Sequence, residues 1–472
     1  MLDRANGLRR ALLASTLIAA APAVFAQEAL SASQRAKIDD AVTSVLAATG
    51  APGASIAVVG EGRIAYEHAY GSARLAPLTP ATSAMRYSVG SVSKQFTATA
   101  VLLLVEEGRL SLDDKVGRWL PELTRANAVS VRQLLSMTTG YQDYWPQDYV
   151  FPAMLEPTTP QAILDRWARK ALDFEPGTKW QYSNTNYVIA GLIVERVSGQ
   201  RLVDFLRERV FTKLGMNSVK DVDAAPLGAE DAAGYLRNAL GPLRPAPKEA
   251  RGWLSAAGEL GMTAHDLALW DISVIDQTVL RPASYRTMQT DVLLASGAAS
   301  RYGLGVTVRI VDGRRQIEHG GAVSGYLTAN VIYPDERVAV VAFSNIYPGA
   351  GDPASQIAER VGKVMFEPAD AEAAKALEQA RRVFAGLQKG TIDRALFSPN
   401  ANAYFSEEAI SDFASSLGPL GTPTEFVRTR QGLRGGMTFR SFRVKCGGRT
   451  LELRTHTLPG GALEQYVVER VE

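Results

Sequence analysis

A chain of 472 residues with 46% hydrophobic side chains is long enough for two or three packed domains. Its 51 basic and 49 acidic residues leave a net charge of +2 with no basic block, which excludes an electrostatic footprint for nucleic acid. One cysteine, Cys446, excludes an internal disulfide, and four scattered histidines (His68, His265, His319, His456) lack metal-binding spacing, so no cofactor or metal is implied.

Residues 1–26 read as a secretory signal. Arg4, Arg9 and Arg10 precede an apolar run over 11–21 that is too short to span a bilayer, and Val24-Phe25-Ala26 offers a cleavage site. The mature chain is therefore expected to begin at Gln27, to be periplasmic or secreted, and to have no membrane span. Residues 54–59 and 63–70 are β-rich and separated by Gly60-Glu61-Gly62, a hairpin signal.

Residues 96–105 then form a run with almost no polar face, the mark of a buried helix. Its head carries Ser91, Ser93 and Lys94, which are costly to bury unless paired or used. Ser91 and Lys94 are three apart and share a helical face, so an amine stands near a hydroxyl whose proton it can take. The backbone N–H of Ser91, at the positive end of the helix dipole, is placed to meet an oxyanion. The plainer alternative makes Ser91 an N-cap and Lys94 a surface-reaching side chain.

Gly108 supplies a stop, and Ser111-Leu112-Asp113-Asp114 resembles a capping box opening a further short helix. Residues 129–137 predict a short amphipathic helix. The loop after it carries Tyr141, Tyr144, Trp145 and Tyr149, either lining a cleft or packing a long loop. Tyr182 and Asn184 follow a Glu175-Pro176-Gly177 turn and precede an apolar helix over 188–197. Standing two apart, both can face one cavity. A tyrosine hydroxyl beside a lysine ammonium can have its pKa lowered and accept a proton, and an asparagine amide can hold a lysine head group or a substrate carbonyl.

Ser91-Val92-Ser93-Lys94 followed by Tyr182-Ser183-Asn184 is similar to the serine β-lactamase and penicillin-binding-protein superfamily, most of all its class C group with esterase and D-peptidase relatives. The flanking Leu134-Leu135-Ser136-Met137-Thr138-Thr139-Gly140 and Ser255-Ala256-Ala257-Gly258-Glu259-Leu260 agree, and the likeness runs from about residue 31 to 368. The resemblance implies an α/β (α+β) β-lactamase/transpeptidase-like fold over 27–368. In it, strands from both ends of the domain (54–59 and 63–70; 303–311, 315–318, 326–333 and 337–343) form one antiparallel sheet. A helical insert packs on one side, and residues 352–366 cover part of the sheet. It also implies a third motif at His319-Gly320-Gly321, where β-lactamases carry Lys-Thr-Gly, with the Ala322 amide joining that of Ser91 around an oxyanion. A histidine in place of lysine removes a fixed positive charge, so Tyr182 would depend mainly on Lys94 for its activation and activity would rise into mildly alkaline pH.

From residue 369 the character changes. Helical periodicity over 371–387 and 407–417 is followed by alternating runs at 425–430, 437–446, 450–458 and 463–471, with turns at Gly447-Gly448 and Gly460-Gly461. This predicts a small α+β domain over 369–472 of the cone-shaped NTF2-like kind, an interaction, pocket-covering or homo-oligomer-forming module. The whole reads as an exported serine hydrolase acting through an acyl-enzyme on small esters, amides or peptides: an esterase, a D-amino-acid peptidase or a weak β-lactamase. Ser91 attacks, Lys94 and Tyr182 share the proton with the base left open between them, Asn184 orients Lys94 and substrate, and His319, Gly320, Gly321 and Ala322 form the opposite wall. One rival is a cell-wall sensor that acylates but turns over poorly. Another, an α/β-hydrolase triad, requires a G-x-S-x-G elbow that the sequence lacks.

Overall fold

The structure, a computed structural model, describes residues 30–367 and 371–470; the signal reading lies outside them. No described helix is long and apolar enough to cross a membrane.

The chain opens with a helix, α1 (Ala32–Thr49), that is not among the expected elements. Ser31 and Gln34 form a reciprocal capping box at its start. Strands β1 (Gly53–Gly60) and β2 (Arg63–Leu75) form the expected hairpin, and β3 (Leu78–Pro80) extends it. The opposite end of the region supplies β4 (Thr307–Val311), β5 (Arg314–Val323), β6 (Tyr326–Tyr333) and β7 (Val338–Ser344). All seven join in one antiparallel sheet in the order β3-β2-β1-β7-β6-β5-β4. Strands β1, β6 and β7 are buried along their whole length, because both faces of the sheet are covered.

On one face, a large core gathers the insert around α2 (Ser93–Glu106), α4 (Asn184–Ser198) and α5 (Ala264–Asp276). On the other, α1 and α6 (Pro353–Met365) enclose a second core. Helix α2 is buried from Ser93 to Leu104, with the Phe96 ring 4.8 Å from Trp270. Burial of Phe96, Val101, Leu102, Leu103 and Leu104 contributes roughly 1.5–3 kcal/mol each, enough to carry a desolvated lysine in the same helix.

Three expectations are corrected. Ser111–Asp114 makes the hydrogen bonds of a cap, with the Ser111 N–H donating to Asp114 Oδ2 at 2.9 Å, but opens no α-helix. Lys115 turns extended and bridges to Ser130, leaving a 3₁₀ turn at Val116–Arg118. The helix at 129–137 contracts to α3 (Val131–Leu135), capped by Ser130 and Gln133. Strand β4 also starts four residues later than expected, after a turn in which the Gly303 N–H donates to Val306 O.

The C-terminal residues fold around their own core. Helices α7 (Ala371–Leu387), α8 (Pro399–Tyr404) and α9 (Glu407–Leu417) precede β8 (Glu425–Arg434), β9 (Met437–Cys446), β10 (Arg449–Thr457) and β11 (Leu463–Arg470). The strands form a four-stranded antiparallel meander in sequence order. Phe442, Val444 and Cys446 alternate inward along β9 to meet Phe384 and Leu387.

Candidate active site

Ser91 sits in a 3₁₀ turn, Gly90–Val92, that feeds α2, and Lys94 is in the first turn of that helix. The two do share a face: Lys94 Nζ lies 2.9 Å from Ser91 Oγ. The Tyr182 hydroxyl donates to the same oxygen at 2.7 Å. Lys94 also donates to Asn184 Oδ1 at 2.8 Å and to the Ala257 carbonyl at 2.7 Å. The segment holding that carbonyl is tied down by α2 itself, because Thr97 donates to Ala256 O and Ser93 accepts from the Leu260 N–H.

The opposite wall comes from β5. Its pairing with β4 ends at Glu318, so His319 to Val323 pair only with β6 and turn a free edge toward Gly90 and Ser91. The approach is close enough to require glycine. A Cβ on Gly321 would lie 2.0 Å from Val89 O, and one on Gly90, whose φ is +49°, would lie 3.1 Å from the Ala322 nitrogen. Thr328 on β6 fixes the turn by donating to Val89 O at 3.0 Å.

Ser91, Tyr182, Asn184, His319, Gly320, Gly321 and Ala322 all line one cleft of about 470 Å³, and Lys94 lies buried beneath it. A larger groove of about 690 Å³ between β4–β6 and α6 touches neither Ser91, Lys94 nor Tyr182. The aromatic loop divides its tasks. Tyr144 and Trp145 line the cleft, Tyr141 is buried with its hydroxyl on Thr124 O, and Tyr149 is exposed.

Electrostatics correct the reading of Tyr182. Burial pushes its hydroxyl up, and the hydrogen bond with Ser91 opposes this only in part. Burial likewise brings the Lys94 amine down to about 7, against the pull of Asp143 toward the charged form. Desolvation works against the charged form of each, so a protonated, uncharged phenol stands beside an amine that gives up its proton near neutral pH. His319 Nδ1 is 2.6 Å from Gly320 O and Nε2 is 2.9 Å from the Tyr302 hydroxyl. A carbonyl only accepts, so Nδ1 carries the proton and Nε2 receives the tyrosine O–H. The ring is neutral: burial, then the proximity of Lys94, lowers its pKa to about 3.

The reading of the sequence missed three contributors. The Ala257 carbonyl has no side-chain signature, although its segment lay inside a motif already noted. Tyr302 is far from the Tyr182 motif in the chain. Asp143 sits among the loop aromatics and accepts from Asn184.

A protein-family model described as Beta-lactamase matches residues 38–361. A D-aminopeptidase of Brucella anthropi is 31% identical over 310 residues, covering 65% of this chain and 58% of its own length. Penicillin-binding protein 4* of Bacillus subtilis (strain 168) is 30% identical over 299 residues, covering 60% and 66%. The match thus spans less than two thirds of each of these curated relatives. Among solved structures, a D-stereospecific amidohydrolase from Streptomyces sp. aligns with a TM-score of 0.61 at 26% identity over 70% of this chain and 98% of its own. An octameric penicillin-binding protein homologue from Pyrococcus abyssi aligns with a TM-score of 0.62 at 21% identity, over 92% and 99%, which carries the likeness of fold into the C-terminal residues. With the family's model matched over well more than half of its length, the chain belongs to the beta-lactamase family.

Proposed function

We propose that this protein is an exported serine hydrolase that acts through an acyl-enzyme, with small esters and amides of D-amino acids as its substrates. One observation carries the reading: Ser91 Oγ stands within hydrogen-bond reach of both a buried lysine amine and a tyrosine hydroxyl. The uncharged Lys94 takes the Ser91 proton as Oγ attacks the substrate carbonyl. The N–H groups of Ser91 and Ala322 hold the oxyanion. Tyr182 donates its proton to the leaving group as the scissile bond breaks and takes back the proton held by Lys94. In deacylation Lys94 takes a proton from the attacking water and Tyr182 returns one to Ser91 Oγ as the acid is released. Asn184 holds Lys94 and the substrate carbonyl, with His319, Gly320 and Gly321 forming the opposite wall.

The substrate class draws support from the D-aminopeptidase and D-stereospecific amidohydrolase among the relatives. It also draws on the neutral His319, which offers a penicillin carboxylate no fixed cation. Residues 1–26 supply the export signal, residues 27–368 the hydrolase, and residues 369–472 an accessory module for contacts with partners or further copies of the chain.

The test is labelling with a fluorophosphonate and a fluorescent penicillin, followed by turnover of p-nitrophenyl acetate, D-alanine p-nitroanilide and a chromogenic cephalosporin. Ser91→Ala is expected to abolish labelling, and the ester and anilide to turn over faster than the cephalosporin. Labelling mapped to another serine would overturn the assignment. Rapid labelling with no turnover of any substrate would favour the sensor reading.

A further inference from the structure

We propose that Asp143 is a positioning residue of this site: its carboxylate fixes the direction of the Asn184 amide and places a negative charge beside the Lys94 amine. The inference rests on reading Ser91 and Lys94 as nucleophile and base.

Helix α4 begins at Asn184, and the residue before it does not cap it. Ser183 makes no side-chain cap hydrogen bond, and its buried hydroxyl has no partner among the described residues. The cap comes instead from another loop. Asp143 Oδ1 accepts the Asn184 N–H at 2.9 Å, the Asn184 Nδ2–H at 3.2 Å and the Trp145 N–H at 3.2 Å, and its other oxygen lies 3.3 Å from the same Nδ2.

An amide has a donating end and an accepting end. With Nδ2 held on the carboxylate, Oδ1 must face the other way, toward Lys94 Nζ at 2.8 Å. The reversed amide would set N–H against the lysine N–H groups and an oxygen against the carboxylate. The direction matters because an uncharged lysine has two N–H groups and one lone pair. Asn184 Oδ1 and Ala257 O take the two N–H groups, which leaves the lone pair for Ser91 Oγ. Asp143 therefore decides, through Asn184, where the base points.

The charge acts separately. Around Lys94 stand the Tyr182 and Tyr187 rings, 5.1 and 5.5 Å from Nζ, the neutral His319, and Asp143. Asp143 in turn faces Tyr144 and Tyr182, with Asp223 and Glu249 also acting on Tyr144. Among the described residues, Asp143 is the acid whose field reaches the lysine, and it favours the ammonium. Removing the charge makes the free amine available at lower pH.

Two substitutions separate the roles. In Asp143→Asn one oxygen remains to accept the three N–H groups, but the charge is lost; Asp143→Ala removes both. The measurement is the fluorophosphonate labelling rate, together with kcat and KM for p-nitrophenyl acetate, of the full chain from pH 5 to 10. Asp143→Asn is expected to move the rising limb toward acid by about one pH unit and to lower the plateau only a few-fold. Asp143→Ala is expected to move the limb the same way and to cut plateau kcat on the order of ten- to a hundredfold, with a smaller change in KM. A rising limb left in place by Asp143→Asn overturns the electrostatic role, and that variant decides the point even where the alanine variant fails to fold. Equal plateaus for the two variants overturn the orienting role. If the wild-type protein shows neither labelling nor a rising limb, the reading of Ser91 and Lys94 has failed first.

Discussion

Lys94 is the residue at which stability and chemistry pull against each other. It is fully buried, and desolvation brings its amine from 10.5 to about 7. Unfolded, the same amine titrates at its ordinary value, so between about pH 7 and 10.5 the unfolded chain holds a proton that the folded chain does not. The penalty of burial is fully present below pH 7 and is relieved as pH rises through that window. Denaturant unfolding of wild type and Lys94→Met at pH 7 and 9.5 is therefore expected to shift in favour of wild type by on the order of 2 kcal/mol. An unchanged difference would mean that the lysine ionises alike in both states. The same number sets the catalytic profile: kcat/KM should rise through a limb near pH 7 as the free amine appears, not in the alkaline range. His319 should add no second limb, because its ring stays neutral down to about pH 3. The pairing of Ser91 with Lys94 was legible in the sequence because three residues along a helix fix a shared face. The protonation states were not. They depend on how much water the surrounding aromatic rings exclude, and no motif records that.

At the scale of elements, the site is a seam between a strand edge and a helix entrance. The free edge of β5 exists because β4 stops pairing at Glu318, and the Val89–Ser91 turn fills the space a longer strand would occupy. Gly321→Ala tests the seam. Its Cβ would meet a backbone oxygen, Val89 O, at 2.0 Å, where no flexible side chain can give way. The expected outcome is a loss of kcat/KM of at least about a hundredfold, since displacement of the oxyanion donors by an ångström is costly, with a smaller loss at Gly320→Ala, where the nearest atom lies at 3.6 Å. Comparable activities for the two variants would mean that the seam tolerates separation. Elements with strong periodicity or unbroken apolar runs, such as β6, β7, α2 and α7, were readable from their residues alone. Helix α1 was not, because its buried residues Ile38, Val42 and Val45 form a narrow stripe on a helix whose other positions are polar residues, alanines and one leucine. Ser111 to Asp114 misled because the same cap hydrogen bonds close an isolated turn as readily as they open a helix.

The whole molecule is built on separate cores. Two flank the large sheet, and the C-terminal residues enclose a third whose buried side chains run from Ala380 to Tyr466. Cys446 belongs to that third core, is 2% exposed, and lies outside the cleft, so Cys446→Ser should leave turnover of p-nitrophenyl acetate near that of wild type. Phe442 makes the stronger test. It is fully buried where β9 meets β10, paired with Leu453 in register and set against Phe426 at 5.9 Å. Phe442→Ala removes a ring from a close-packed interior, a loss of about 3–5 kcal/mol. Because the cleft draws none of its lining from the described residues after Asp352, that loss should fall on the C-terminal unit and leave the cleft in place. Calorimetry of wild type should resolve more than one unfolding transition, with Phe442→Ala lowering one of them by more than about 10 °C and leaving the other in place. Below the lower transition, kcat/KM should match wild type. A single transition that moves as a whole would mean that the two units unfold together. A drop in kcat/KM in the folded variant would mean that the C-terminal unit shapes the cleft from a distance, through the elements that carry β5 and the turn at Ser91.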